Sequence, residues 1–145
     1  MSDTAAATDV AFLALGTNMG HRGEALRRLR DALAQRVVIE AASSEVLTRP
    51  AGVRNQPDFH NQVLRVRSAS PLTPHAWLSL CHEVEAEAGR RPTYHWGPRI
   101  ADCDILLLGE HGELSVELPE LIVPHRELRN RPFLGPLLHE VGSPI

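Results

Sequence analysis

The chain contains no lysine: all fifteen of its basic residues are arginine. That excludes a Walker A lysine, a Schiff-base lysine and the strand lysine of protein kinases. Any phosphate chemistry must rest on arginine, histidine, backbone amides and metal. Cysteine is scarce too. Cys81 and Cys103 both fall in apolar-patterned segments and read as small core residues. No apolar run approaches the ~20 residues of a membrane-spanning helix, so no membrane association is expected. Residues 1–9 are small and polar, without the basic stretch and apolar run of a secretory signal. They read as a disordered tail ahead of a single domain, residues 10–145. Unpaired cysteines and no signal make the cytoplasm the expected compartment. A net charge of −3 leaves no positive excess for nucleic acid, so none is expected as a partner. A length of 145 residues suffices for one domain with a substantial core.

What is present centres on the segment Trp96-Gly97-Pro98-Arg99-Ile100-Ala101-Asp102-Cys103-Asp104-Ile105-Leu106-Leu107-Leu108-Gly109. It opens as a stiff cationic turn and runs into an apolar strand. Successive strand side chains alternate faces, so Asp102 and Asp104 point the same way, with Cα atoms roughly 6.5 Å apart. Cys103, Ile105 and Leu107 are expected on the opposite, apolar face. Two like charges side by side on a half-buried strand repel. A divalent cation between them relieves the repulsion, and carboxylate oxygens suit Mg²⁺. The alternative is a solvated polar face on an edge strand. Arg99 and Trp96 favour the first reading: a guanidinium and an aromatic plate beside a metal site suggest a nucleoside triphosphate.

Along the chain, residues 10–15 read as a strand closed by the glycine-rich turn Gly16-Thr17-Asn18-Met19-Gly20. Residues 23–35 read as a helix, with Ala25, Leu26, Leu29, Ala32 and Leu33 on one buried stripe. Residues 37–47 look like one long strand, and residues 48–58 a long loop. Residues 59–67 form the next strand, with Phe59, Asn61 and Val63 on one face and Leu64 and Val66 on the other. Phe59 and Asn61 could bind a flat heterocycle; for Phe59 the plainer alternative is core packing. Thr73 and Pro74 signal a helix start, and Gly89 its end. Trp77, Leu80, Cys81, Val84 and Ala88 make its buried stripe. Glu85, near the C-terminal end, gains nothing from the helix dipole. It is a functional candidate or, more plainly, a solvated surface glutamate. A basic loop, residues 89–95, leads into the central segment. Residues 110–113 read as a turn, residues 114–116 as a short strand, and the chain ends in a short apolar helix reaching Val141. The order β-α-β-β-α-β with trailing strands predicts an α+β fold: a ferredoxin-like antiparallel sheet, helices packed on it, and extra C-terminal strands.

Five blocks now stand in order: Ala14-Leu15-Gly16-Thr17-Asn18; Gln56-Pro57-Asp58-Phe59-x-Asn61; Glu85-x-x-x-Gly89-Arg90; Trp96-Gly97-Pro98-Arg99-x-x-Asp102-x-Asp104-Ile105; and Val123-Pro124-His125 followed by Asn130-Arg131-x-Phe133. With these blocks the chain resembles the 6-hydroxymethyl-7,8-dihydropterin pyrophosphokinase family of folate biosynthesis, over almost its whole length. The resemblance implies transfer of pyrophosphate from ATP to the pterin's hydroxymethyl oxygen, with release of AMP. It implies two Mg²⁺ ions on Asp102 and Asp104, with ATP as co-substrate. It assigns catalysis to Arg90, Arg99, Asp102 and Asp104. It assigns ATP binding to His82, Glu85, Trp96, Arg99, Ile105, His125, Arg126 and Arg131. It assigns pterin binding to Thr48, Ala51, Phe59, Asn61, Trp96 and Phe133. The partners implied are the two small-molecule substrates; a monomer is the expected state of the chain. The chain departs from the family pattern at several points. His82 stands where some members carry glutamine, Arg126 where tyrosine is frequent, and Arg49 where proline is common. Ala51 is smaller than usual, and Arg91-Pro92 displaces a second loop arginine.

Two other readings differ in class. A silent relative could bind nucleotide or pterin as a regulatory module, but a pure binder has no need of two repelling carboxylates. Ferredoxin-like sheets also bind RNA, yet the sheet-face aromatics for base stacking are missing.

Overall fold

The computed structural model describes residues 6–18, 23–48, 58–89 and 101–143. Strand β1 (Thr8–Thr17), central in the sheet, is apolar on both faces because helices cover both. It begins earlier than the sequence suggests. Thr8 and Asp9, expected in the tail, are strand residues. The Thr8 carbonyl accepts from Trp77 Nε1 at 3.0 Å, and the Asp9 carboxylate accepts from Arg67 Nη1 at 2.9 Å. Helix α1 (Glu24–Ala34) buries the five residues of the expected stripe.

The long strand expected over residues 37–47 is two strands, β2 (Val38–Ala42) and β3 (Val46–Thr48). The interruption is built around Ser43. Its Oγ accepts from Val63 N at 2.9 Å, and its carbonyl accepts from Gln62 Nε2 at 2.7 Å. A side chain thus takes a ladder donor of the neighbouring strand, and pairing slips before it resumes at Val46. Thr48, expected in a loop, ends β3.

Strand β4 (Phe59–Leu72) is followed by α2 (Pro74–Gly89), where Ala76 N donates to Thr73 Oγ1 at 3.1 Å as the predicted N-cap requires. Strand β5 (Ala101–Leu108) comes next. Leu114 makes a lone bridge to Leu108 where a short strand was expected, and the hairpin strands β6 (Val116–Leu118) and β7 (Leu121–Val123) follow. A 3₁₀ turn (Arg126–Arg129) and helix α3 (Leu134–Glu140) complete the described chain. The main sheet runs β2-β4-β1-β5, every pair antiparallel, with β3 also on β4. With β2 and β3 counted as one broken strand, this is the ferredoxin-like order, as expected. Among the described residues no helix is long and apolar enough to cross a membrane.

Both faces of the sheet are covered. Leu26, Leu29 and Leu33 of α1 and Trp77, Cys81 and Val84 of α2 pack on Leu13, Leu15, Leu64, Val66, Cys103 and Ile105. On the other face α3 sets Leu134, Leu137 and Leu138 against Val10, Phe12, Val63, Leu106 and Leu107. Leu107 was expected beside Cys103 and Ile105. A β-bulge moves it: Leu13 pairs Ile105 while Phe12 pairs Leu107, so Leu106 is the extra residue. Leu106 and Leu107 therefore both face α3, and Leu108 takes the position on the helix-pair side.

Beyond α3 the same face is closed by ions. Glu40 accepts from Arg67 Nε at 2.6 Å and Arg65 Nε at 3.0 Å, and Glu110 accepts from both arginines. Arg65 also lies over the Phe12 ring, 5.3 Å from its centroid. The Arg67 guanidinium, then that of Arg65, holds the Glu40 carboxyl below its ordinary value. A depressed acid stabilises the fold above its unfolded pKa and loses that contribution as pH falls through the folded one. Glu40→Gln should therefore cost at most about 1 kcal/mol at pH 7. Melting curves of the two proteins should converge in acid; a gap that persists with Glu40 protonated would contradict the ion-pair account.

Candidate functional site

Ala14 and Gly16 of β1 lie opposite Asp104 and Asp102 of β5, and opposite Val63 and Asn61 of β4. All six share the face that α3 covers, at the end of the sheet α3 leaves open. The expected common face for Asp102 and Asp104 is thus observed, and it faces a cavity. This first cavity, of about 430 Å³, is lined by Thr48, Phe59, Asn61, Asp102, Asp104, Arg131 and Phe133, among others.

Asn61, in its lining, is buried. Its Nδ2 lies 2.9 Å from Thr48 Oγ1 and 3.2 Å from the carbonyls of both Val46 and Phe59. These acceptors fix the amide: nitrogen toward the protein, Oδ1 toward Gly16. A Cβ on Gly16 would sit 3.4 Å from that oxygen, in ordinary contact with it. Oδ1 is an acceptor, suited to an N–H of a flat heterocycle.

A second cavity, of about 370 Å³, lies on the other side of β5 and is lined by His82, Glu85, Asp104, Ile105, His125 and Arg126, with the β6–β7 hairpin as a wall. Asp104 lines both cavities. His125 follows a cis Val123–Pro124 bond, and its backbone N donates to Leu106 O at 3.0 Å. Its Nδ1 accepts from Glu127 N at 3.0 Å, so the neutral ring carries its proton on Nε2. His125 is therefore a donor with a fixed tautomer.

Three carboxylates converge on the end of β5. Asp102 is open to solvent, yet the protein packed around it withholds part of its hydration. That loss first, then the charge of Asp104, raises its carboxyl above the ordinary value, while Arg131 pulls it down. Glu85 is half-buried, not a solvated surface residue. It accepts from Cys103 N at 2.8 Å, on the edge strand of the sheet. Burial raises its carboxyl, the Cys103 amide lowers it, and Asp102 and Asp104 raise it again.

The donor set fits a hard cation. Among the described residues no group of three or more His, Cys, Asp or Glu side chains has metal-holding geometry. What remains is two carboxylates, Asp102 exposed and Asp104 half-buried, beside a cavity. Mg²⁺ typically takes one or two carboxylates and completes its shell with water and substrate phosphate. Cys103 lies on the opposite face of β5 from the aspartates, where a hydrogen bond with Cys81 and burial push its thiol up, so no thiolate competes.

Of the expected acceptor residues, Thr48, Phe59, Asn61 and Phe133 come together in the first cavity. Of the expected nucleotide residues, His82, Glu85, Ile105, His125 and Arg126 come together in the second. Arg131 is placed apart from them, in the first cavity near Asp102. Arg90, Arg99, Trp96 and Ala51, together with Arg49, Arg91 and Pro92, lie outside the described residues. Sequence reasoning missed Gln62 and Asn130 in the first cavity and Glu120, Ile122 and Glu127 in the second. Two signals were available: Asn130 stands within the block Asn130-Arg131-x-Phe133, and Ile122 stands just before Val123-Pro124-His125.

Paired strand carboxylates thus stand where two cavities meet on a ferredoxin-like domain, an arrangement with room for two small molecules side by side. The chain belongs to the 7,8-dihydro-6-hydroxymethylpterin-pyrophosphokinase (HPPK) family, whose model matches residues 12–143. It is 37% identical over 139 residues to the 2-amino-4-hydroxy-6-hydroxymethyldihydropteridine pyrophosphokinase of Bacillus subtilis, covering 94% of this chain and 80% of that protein. It is 35% identical over 137 residues to the protein of the same name from Methylorubrum extorquens, covering 93% and 84%. It is 35% identical over 125 residues to the bifunctional protein FolKE of Lactococcus lactis, covering 85% of this chain but 34% of that one.

Proposed function

We propose that this protein transfers pyrophosphate from ATP to the hydroxymethyl oxygen of 6-hydroxymethyl-7,8-dihydropterin and releases AMP, a step of folate biosynthesis. One observation carries the reading: Asp104, paired with Asp102, lines both a cavity with an amide and two phenylalanines and a cavity with histidines and arginine. The family membership and the names of the relatives support it.

The first cavity takes the pterin. Phe59 and Phe133 supply aromatic faces, and the fixed Asn61 Oδ1 accepts from the ring's N–H edge. The second takes the nucleotide. His125 offers its Nε2 proton and Arg126 its guanidinium to phosphate oxygens. Arg131, beside Asp102, lies where the transferred group must pass between the substrates. Arg90 and Arg99 are proposed as further phosphate ligands on the family pattern alone. Asp102 and Asp104 hold Mg²⁺, proposed as two ions, which supplies the positive charge that phosphoryl transfer needs. The residues' share is positioning and charge neutralisation, since this chemistry asks little covalent work of the protein.

Incubation with ATP, Mg²⁺ and the reduced hydroxymethylpterin tests the proposal, with AMP and pterin diphosphate as the expected products. ADP as the product, or tight binding without turnover, would overturn it. Phe133 is half-buried at the α3 entrance and only partly packed in the core. Phe133→Ala should raise the pterin KM about tenfold or more, as loss of a stacking face does, with melting lowered by only a few degrees. Unfolding of this variant, with pterin affinity unchanged in the folded fraction, would make Phe133 a core residue instead.

A further inference from the structure

We propose that Glu140, outside both cavities, is a positioning residue that sets the spacing between the two walls of the first cavity. The inference rests on reading that cavity as the acceptor's. Glu140 is the last residue of α3, and Ser44 lies in the break between β2 and β3. Glu140 Oε1 accepts from Ser44 N at 2.7 Å, and Oε2 accepts from Ser44 Oγ at 2.9 Å. Each end of this clamp carries a wall. Helix α3 begins at Leu134, directly after Phe133, and β3 ends at Thr48, four residues beyond Ser44.

The Ser44 side of the clamp is itself anchored. Ser43 is tied to Val63 and Gln62, and Arg30 Nη1 holds Gln62 Oε1 at 2.8 Å and Glu45 Oε2 at 3.1 Å. Glu140 therefore grips a segment already fixed to α1 and β4. Otherwise α3 is held by Leu134, Leu137, Leu138 and Val141. Apolar contact is non-directional. It sets the height of α3 above the sheet but resists sliding along it weakly. Two carboxylate hydrogen bonds to one residue resist that slide. They also set how far Phe133 stands from Thr48 and Asn61.

Both partners are exposed, so the clamp adds little to global stability. Its effect belongs in acceptor affinity, which separates positioning from a merely structural role. The test uses the whole protein as wild type, Glu140→Gln, Glu140→Ala, Ser44→Ala and the Ser44→Ala/Glu140→Ala double variant. Binding of 6-hydroxymethyl-7,8-dihydropterin is measured by calorimetry with a non-hydrolysable ATP analogue and Mg²⁺, alongside steady-state kinetics and melting. Each Glu140 variant should weaken pterin Kd and raise pterin KM about three- to tenfold. The ATP KM and the melting temperature should stay near wild type. The double variant should be no worse than the worse single one. Wild-type pterin affinity in Glu140→Ala, or additive losses in the double variant, would overturn the clamp alone. A wild-type protein that binds no pterin would overturn the cavity assignment, and this inference with it.

Discussion

Asp102→Asn and Asp104→Asn are each expected to lower turnover at least about 10²–10³-fold while the fold stays intact. The side chains lie on one face of β5 at the cavities, outside the apolar clusters, so an isosteric amide changes charge and not packing. At Asp102 the fold should become slightly more stable. Loss of hydration and the charge of Asp104 raise its carboxyl in the folded protein. The ionised form is then disfavoured by folding, a cost present at neutral pH that disappears as pH falls below the unfolded pKa. Asp102→Asn should thus melt at or above wild type at pH 7, with the gap gone below about pH 4, the unfolded carboxyl's pKa. Mg²⁺ with an ATP analogue should raise the wild-type melting temperature by binding linkage and the variants' much less. Near-normal turnover in either variant, or equal ligand-induced stabilisation in all three proteins, would remove these residues from the site.

The second large effect concerns stability. Trp77→Ala should cost about 3–5 kcal/mol and lower the melting temperature by roughly 10 °C or more. Trp77 is fully buried between α2 and the sheet, and its indole Nε1 donates to the Thr8 carbonyl at 3.0 Å. Truncation leaves a cavity, removes that donor and releases the start of β1. Trp77→Phe should recover most of the packing but not the hydrogen bond, leaving a loss of about 1–3 kcal/mol. Trp77 lines neither cavity, so specific activity well below the melting point should survive in both variants. Lost activity at unchanged stability would place it in the site. Urea unfolding with parallel AMP assays separates the two outcomes.

These effects mark where sequence was sufficient. The α1 stripe, the Thr73-Pro74 helix start and the shared face of Asp102 and Asp104 are local patterns, set by periods of 3.6 and 2, and they appear as expected. What sequence did not carry depends on partners distant in the chain. Ser43 breaks a strand because Val63, on another strand, offers it an amide. Leu107 changes face because Phe12 stands opposite one residue where β5 supplies two. For Glu85 the helix pattern left a functional role and a solvated surface open, and only folding sets the Cys103 amide against it. Thr8 and Asp9 join the sheet only because Trp77 and Arg67 reach them. In the site, residue types drew attention to Phe59, the Asn61 amide and the acids, while Phe133 came from the resemblance alone. The β6–β7 wall, Glu120 included, reaches the second cavity only through folding, and adjacency of Ile122 to Val123-Pro124-His125 was its sole trace in the sequence.

Asp104 stands in the wall of both cavities. Whatever occupies one cavity changes the field and hydration felt in the other through that carboxylate. Binding free energy is a function of state, so the coupling is mutual. If nucleotide tightens the acceptor by some factor, the acceptor tightens nucleotide by the same factor. Any preferred order of loading is then a property of rates, set by access to each cavity, and the ternary complex is equally deep from either direction.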